Sequence, residues 1–457
     1  MLLRGDRTEP GIGQPLCFLR WSMVLLLAFI TGIAVYIGRD HFPATNIRAL
    51  RTMNPESLLI LSLVVGGISI NVAGRTPVLL LFDVCLLLLF CKRIVWLDWP
   101  AFSDRLMNRL VLACLLLQTF GAFINPSDIL KSVITIKALL FGFLFYALLE
   151  KKRIYAWCVP VCLGVAGLAT LWSYYASARE GIYTIGEIKD DVVTPLGASN
   201  YVACYLMMLL PLGGVYFYRS RGHERLWYGI FVLLGFAGFL VTFSRGAITA
   251  LLISVLLSLR LIYRSGFRLK HAIAVLVFMA FIVAVFPQEI VLGAYDFVEN
   301  KISIGDESRT ELWHKAISVF QQHPILGVGP GQFVNYSREI GYGNSKLGAH
   351  NTYLQTLAES GILGSVPIFA LMIASLWRFY KLARFSLDAV HVATWVGILA
   401  SMIHNAVDTI FWIPQFQVLF WLMTAIAVGA ARELNRESIR ECGWGRLQRE
   451  LIPDASE

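Results

Sequence analysis

Residues 226–263 read LWYGIFVLLGFAGFLVTFSRGAITALLISVLLSLRLIY, a run whose charged side chains are Arg245 and Arg260 alone. About 20 residues of helix cross the apolar layer of a bilayer, so the run holds two spans that meet, almost without a loop, at Phe243-Ser244-Arg245-Gly246. The same signature recurs at approximately 20–38, 57–73, 76–91, 108–124, 131–149, 154–176, 200–218, 271–287, 352–377, 389–407 and 411–431. These make twelve or thirteen crossings. The ambiguity sits at 57–91, where Gly66, Gly67, Gly74 and Pro77 interrupt the run and leave either a helical hairpin or one broken crossing. Composition carries the same message: the chain is 57% hydrophobic and 15% charged, with a mean hydropathy of +0.65, where soluble domains are ~25% charged. A soluble globular domain is excluded, and the fold expected is an all-α, polytopic integral membrane protein of about 12 transmembrane helices.

Charge sets the orientation. Loops 92–107, 150–153, 219–225, 264–270 and 378–388 carry 15 Lys or Arg in 45 residues, whereas 125–130, 177–199 and 408–410 carry 2 in 32. Lys and Arg mark cytoplasmic loops, so the first set faces the cytoplasm. The net charge of +9 is then an orientation signal, and no nucleic-acid partner is read from it. Residues 1–19 lack a small-residue cleavage site before a full-length span, so they read as a cytoplasmic segment. Helices follow over 20–287, an outer loop over 288–349, further helices over 350–431, and a cytoplasmic tail over 432–457.

Within the outer loop, Ser308-Arg309-Thr310-Glu311 has the form of a capping box, in which hydroxyl and carboxylate satisfy two helix-start donors reciprocally. A helix of about four turns follows, with Leu312, Trp313, Ala316, Ile317 and Phe320 on one face and His314, Lys315, Ser318, Gln321 and Gln322 on the other. Such a helix is expected to rest on the membrane surface and to stop at Pro324. A glycine-rich segment, Gly327 to Gly331, comes next. Cys85, Cys91, Cys114, Cys158, Cys162 and Cys204 fall inside apolar segments, which reads as core packing rather than as a disulfide framework or a metal site.

The polar residues that stand out gather at the outer face. Arg245 sits where two spans meet, a position that is costly for a cation unless it is paired or snorkels; its guanidinium is also suited to clamping an anion such as phosphate. Arg309 opens the loop helix, where the helix dipole gives a cation no stabilisation. His350, at the junction of the polar loop and the next span, carries an imidazole suited to general-base work. Asn351, Tyr353, Gln355 and Glu359 follow within three turns, and Asn200 opens another span. These five are candidates to line a substrate cavity. Asp83, in an apolar run, and His404, Asn405 and Asp408, near the outer end of the penultimate span, are weaker candidates, the last three for the same cavity.

Three motifs carry a resemblance: Phe243-Ser-Arg-Gly-Ala247; Arg309-Thr-Glu-Leu-Trp-His-Lys-Ala-Ile317 with His323-Pro-Ile-Leu-Gly-Val-Gly-Pro-Gly-Gln-Phe333; and His350-Asn-Thr-Tyr-Leu-Gln-Thr-Leu-Ala-Glu-Ser-Gly-Ile-Leu-Gly364. In this order, with a large outer loop among them, they resemble the O-antigen ligase and polymerase superfamily, most of all the O-antigen ligase. The likeness is strong over roughly 200–375; the N-terminal third agrees in hydropathy alone.

The resemblance implies a GT-C-like helical glycosyltransferase of the bacterial inner membrane, with loop 288–349 and the active site facing the periplasm. It implies transfer of a glycan from an undecaprenyl-pyrophosphate-linked donor to the lipid A core oligosaccharide, by an inverting displacement that needs no metal or other cofactor. Membrane lipids would surround the chain. Arg245 and Arg309 align with pyrophosphate-binding positions and His350 with the catalytic one. Two alternatives stay open: an O-antigen or exopolysaccharide polymerase using the same donor, and a solute transporter in which Arg245 and Glu359 are coupling residues. Against the transporter stand the lack of a visible inverted repeat and the gathering of polar residues at one face rather than at midplane.

Overall fold

The computed structural model describes residues 69–72, 76–80, 105–125, 129–149, 158–179, 198–266, 309–340, 348–413 and 416–424. The apolar stretches 20–38 and 271–287, Asp83, Ser308 of the capping box, and the two terminal segments lie outside these residues.

Ten helices can be followed by their limits: α1 (Arg105–Ile124), α2 (Ile129–Leu149), α3 (Cys158–Arg179), α4 (Ser199–Arg219), α5 (Gly222–Val241), α6 (Arg245–Arg264), α7 (Arg309–Gln322), α8 (Phe333–Glu339), α9 (Thr352–Ser386) and α10 (Ala389–His404). Residues 416–424 are helical as well. Among the described helices α1, α4, α5, α6 and α9 are each long and apolar enough to cross a membrane, and shorter apolar segments lie in α2, α3 and α10. The chain is a multi-pass membrane protein.

One described element departs from the all-α expectation. Within the interrupted run at 57–91, strands β1 (Ser69–Val72) and β2 (Thr76–Leu80) pair antiparallel, Ser69 opposite Leu80 and Val72 opposite Thr76. Gly74 and Pro77 disfavour a continuous helix there, and the pieces on either side are rich in the β-branched residues that suit strands.

Helix α4 is the centre of the bundle. It meets α3, α5, α6 and α10, and its side chains from Val202 to Leu209 are buried on all sides. Small residues let the backbones close in, as association within lipid requires. A Cβ on Gly397 of α10 would strike the backbone carbonyl of Met208 in α4, and one on Gly167 of α3 would strike that of Leu234 in α5. Gly397→Leu should therefore destabilise the bundle by more than the roughly 1–3 kcal/mol typical of overpacking. Gly214→Ala, which meets open space, should hold or slightly raise the melting temperature in detergent. An equal melt for both variants would show that the α4–α10 approach is not tight.

The loop helix forms where expected, but its buried face is Leu312, Ala316 and Val319, while Ile317 is exposed. That face meets α9, and Ala316 and Val319 cluster with Val328, Phe333, Ala349 and Ala358. The apolar stripe is covered by protein, which corrects the expectation of a helix resting on the membrane surface. Helix α9 also extends past the predicted span end near 377, because Phe379 and Ala383 keep its inner face buried for two further turns.

Helix α9 is broken. Gly361 has φ 57° and ψ −166°, outside helical values, and φ in this range favours glycine. The stretch before α8 crosses the gap: the amides of Val328 and Gly329 donate to the carbonyls of Ala358 and Glu359 at 3.1 and 2.8 Å, and those of Ile362 and Leu363 donate to Pro324 and Ile325 at 2.8 and 3.1 Å. A Cβ on Gly327 would collide with the Glu359 backbone, and one on Gly361 with that of Ile325.

Candidate active site

Helix ends gather at one end of the bundle. Asn200 opens α4, Arg245 opens α6, His350 precedes α9, and Asp408 follows α10. At the opposite end Arg219, closing α4, pairs with Asp388, the N-cap of α10, at 2.8 Å.

His350 is the best-defined member. Its Nδ1 lies 3.1 Å from Asp408 Oδ1. Asp408 is a buried carboxylate whose other oxygen accepts from Asn200 Nδ2 at 2.7 Å. Burial pushes the Asp408 carboxyl up, but the hydrogen bond from His350, the charges of His350 and His404, and the Thr409 amide together hold it below its ordinary value of 3.8. An ionised carboxylate only accepts hydrogen bonds, so the proton shared in this pair sits on Nδ1, and in the neutral imidazole Nε2 is then the nitrogen with the lone pair. The imidazole is 30% exposed against 3% for its partner; one ring edge is anchored while the ring still reaches solvent.

Backbone geometry fixes that pose. His350 has φ 46°, a left-handed conformation costing a non-glycine residue on the order of 1 kcal/mol and persisting only where its surroundings impose it. Asn351 caps α9, its side chain accepting from the Tyr353 and Leu354 amides at 3.0 and 3.1 Å. The Thr352 amide donates to the carbonyls of Asn405 and Asp408 at 2.9 and 3.1 Å. Buried Asn405 adds a staple: its Oδ1 accepts from Thr352 Oγ1 at 2.6 Å and the Phe411 amide at 2.9 Å. The turn carrying Asp408 is thus tied to the start of α9.

Arg245 is exposed at the first position of α6, after Phe243 with φ 47°. Its neighbour Gly246 sits against the side chains of His404 and Val407, immediately before Asp408 in the chain. Arg309 is exposed on the first turn of α7. Among the described residues no hydrogen bond or ion pair links it to Arg245 or His350.

The five cavity candidates divide. Asn200 joins His350 through Asp408. Asn351 caps α9, and Tyr353 donates its hydroxyl to the Met402 carbonyl at 2.8 Å, so both act on the architecture. Gln355 accepts from the Ala349 amide at 3.0 Å and donates to Glu359 at 3.0 Å. Glu359 is buried and also accepts from the amides of Gly331 at 2.9 Å and Phe333 at 3.3 Å. The glycine segment therefore has its Val328, Gly329 and Gly331 amides engaged by protein and is not arranged as a phosphate nest.

Residues 230–369 match the O-antigen ligase family model. No curated protein matches the chain. The O-antigen ligase match takes in Arg245, Arg309 and His350 and supports the likeness read from the three motifs. It stops short of both partners in the histidine network, Asn200 and Asp408. From the sequence Asp408 is a weaker candidate to line the cavity, and its pairing with His350 is not readable there; the signal is a carboxylate directly after an apolar span, which is costly unless it is paired.

Proposed function

We propose that the chain is an O-antigen ligase-type glycosyltransferase of the bacterial inner membrane, joining an undecaprenyl-pyrophosphate-linked glycan to the lipid A core at the periplasmic face. The observation that carries the reading is the His350–Asp408–Asn200 network, at the same bundle end as Arg245 and inside or beside the O-antigen ligase match. The opposite end bears the Lys- and Arg-rich loops 219–225 and 378–388, which supports a periplasmic site and a periplasmic loop over 288–349.

In this reading His350 Nε2 takes the proton of the acceptor hydroxyl as its oxygen bonds to the anomeric carbon. The bond from that carbon to the phosphate oxygen breaks, and undecaprenyl pyrophosphate leaves with the electron pair. One displacement inverts the anomeric configuration. Asp408 stabilises the imidazolium as it forms, the arrangement general to a histidine base with a carboxylate on its far nitrogen. Arg245 and Arg309 hold the pyrophosphate and stabilise the charge it gains.

Deleting the gene tests the acceptor. Surface lipopolysaccharide should lose its long glycan while lipid-linked glycan accumulates. A product reduced to single repeat units on the core would instead assign the chain as a polymerase.

A further inference from the structure

Gln355 and Glu359 lie on α9 one and two turns beyond His350 and are oriented toward protein. Glu359 receives three N–H donors: two backbone amides at the start of α8 and the Gln355 side-chain amide. A backbone N–H can only donate, so the Gln355 NH2 is left for Glu359 and its carbonyl faces the Ala349 amide. That bond fixes the residue before His350, and the packing is close: a Cβ on Gly348 would lie 2.8 Å from Gln355 Oε1. On the other side of His350 the chain is held by the Asn351 cap and by Thr352. The left-handed backbone of His350 is thus clamped from both sides.

We infer that Gln355 and Glu359 are positioning residues for the histidine base, Glu359 anchoring the Gln355 amide and Gln355 holding Ala349 so that the His350 ring stays on Asp408. The link extends further. The glycine segment that Glu359 grips is held by α1 and α2 through Asn125 on the Gly327 carbonyl at 3.1 Å and Ser132 on the Pro330 carbonyl at 2.8 Å. The pose of the imidazole is therefore tied to helices outside the matched segment. Releasing Ala349 frees His350 to relax out of its left-handed conformation, which swings the ring away from the carboxylate without touching the donor's contacts.

The inference rests on His350 acting as the base, and the test separates the two. Full-length protein is reconstituted in liposomes with undecaprenyl-pyrophosphate-linked glycan and lipid A core, and release of undecaprenyl pyrophosphate is followed. Gln355→Leu and Gln355→Glu should lower kcat roughly 10- to 100-fold, as misplacement of a reacting group by about 1 Å does, with the donor KM essentially unchanged. The exchange Gln355→Glu with Glu359→Gln restores the link between the two side chains and the acceptor for the Ala349 amide, at the cost of the long Phe333 bond to the same Glu359 oxygen, and should regain part of the turnover that Gln355→Glu loses. In a His350→Ala background Gln355→Leu should add no further loss. No rescue by the exchange, or losses that multiply with His350→Ala, would overturn the positioning role. Wild-type turnover in His350→Ala would instead overturn the base assignment beneath it. Should the Gln355 variants melt early in detergent, Gly348→Ala displaces Gln355 from the loop side and must give the same split between kcat and KM.

Discussion

His350→Ala should lower turnover by roughly 10²–10⁴, the range of general-base assistance, and leave donor binding nearly intact. The asymmetry follows from when the interaction is made: the proton moves in the transition state, so its loss falls on kcat and not on ground-state affinity. The pH profile supplies the second readout. A protonated imidazole has no lone pair to offer, so wild-type activity rises with pH through a limb that the variant's residual activity lacks. Asp408→Asn keeps the shape but removes the anion that places the proton on Nδ1, and it should approach His350→Ala in severity. Steady-state release of undecaprenyl pyrophosphate across pH measures all three proteins. Abolished donor binding in His350→Ala, with residual turnover of unaltered pH dependence, would make the histidine a ligand of the donor.

The second large effect belongs to Arg245. Arg245→Ala should lower turnover by about 10²–10³, the effect of removing one preorganised donor from a developing oxyanion. Arg245→Lys should fail to restore it, because an ammonium lacks the planar fork that meets two phosphate oxygens. Arg309→Ala is predicted to act in the same direction. Turnover assays on protein matched for expression decide the matter, and full activity in both alanine variants would remove the arginine clamp.

What the sequence made legible was local. Spans 200–218, 226–243 and 246–263 reappear as α4, α5 and α6 because a long apolar run bounded by arginines permits little else in lipid. The loop helix was legible from its capping box and its stop at Pro324, yet its partner was not: a stripe of Leu312, Ala316 and Val319 says that something covers it, not what. The break in α9 was hidden because Gly361 stands inside an apolar run that reads as continuous helix, and the residues that bridge it lie about thirty positions earlier. The pairing of Asp408 with His350 was hidden for the same reason, the two being 58 positions apart, and long-range pairing leaves no periodicity in a single sequence. His350 itself stood out because a titratable ring at a polar-to-apolar junction is chemically unusual wherever it falls.

The interruption at Gly361 also bears on how the protein is made. A helix that stops and restarts within an apolar segment exposes backbone donors and acceptors, each costing several kcal/mol in lipid if left without partners. Those partners come from 324–329, which the ribosome delivers before α9. The two halves of α9 therefore have their backbone groups at the break fully partnered only once 324–329 has folded onto them. Completion of this helix is thus a tertiary event rather than a local one: the chain made earlier is a structural part of the helix that follows it.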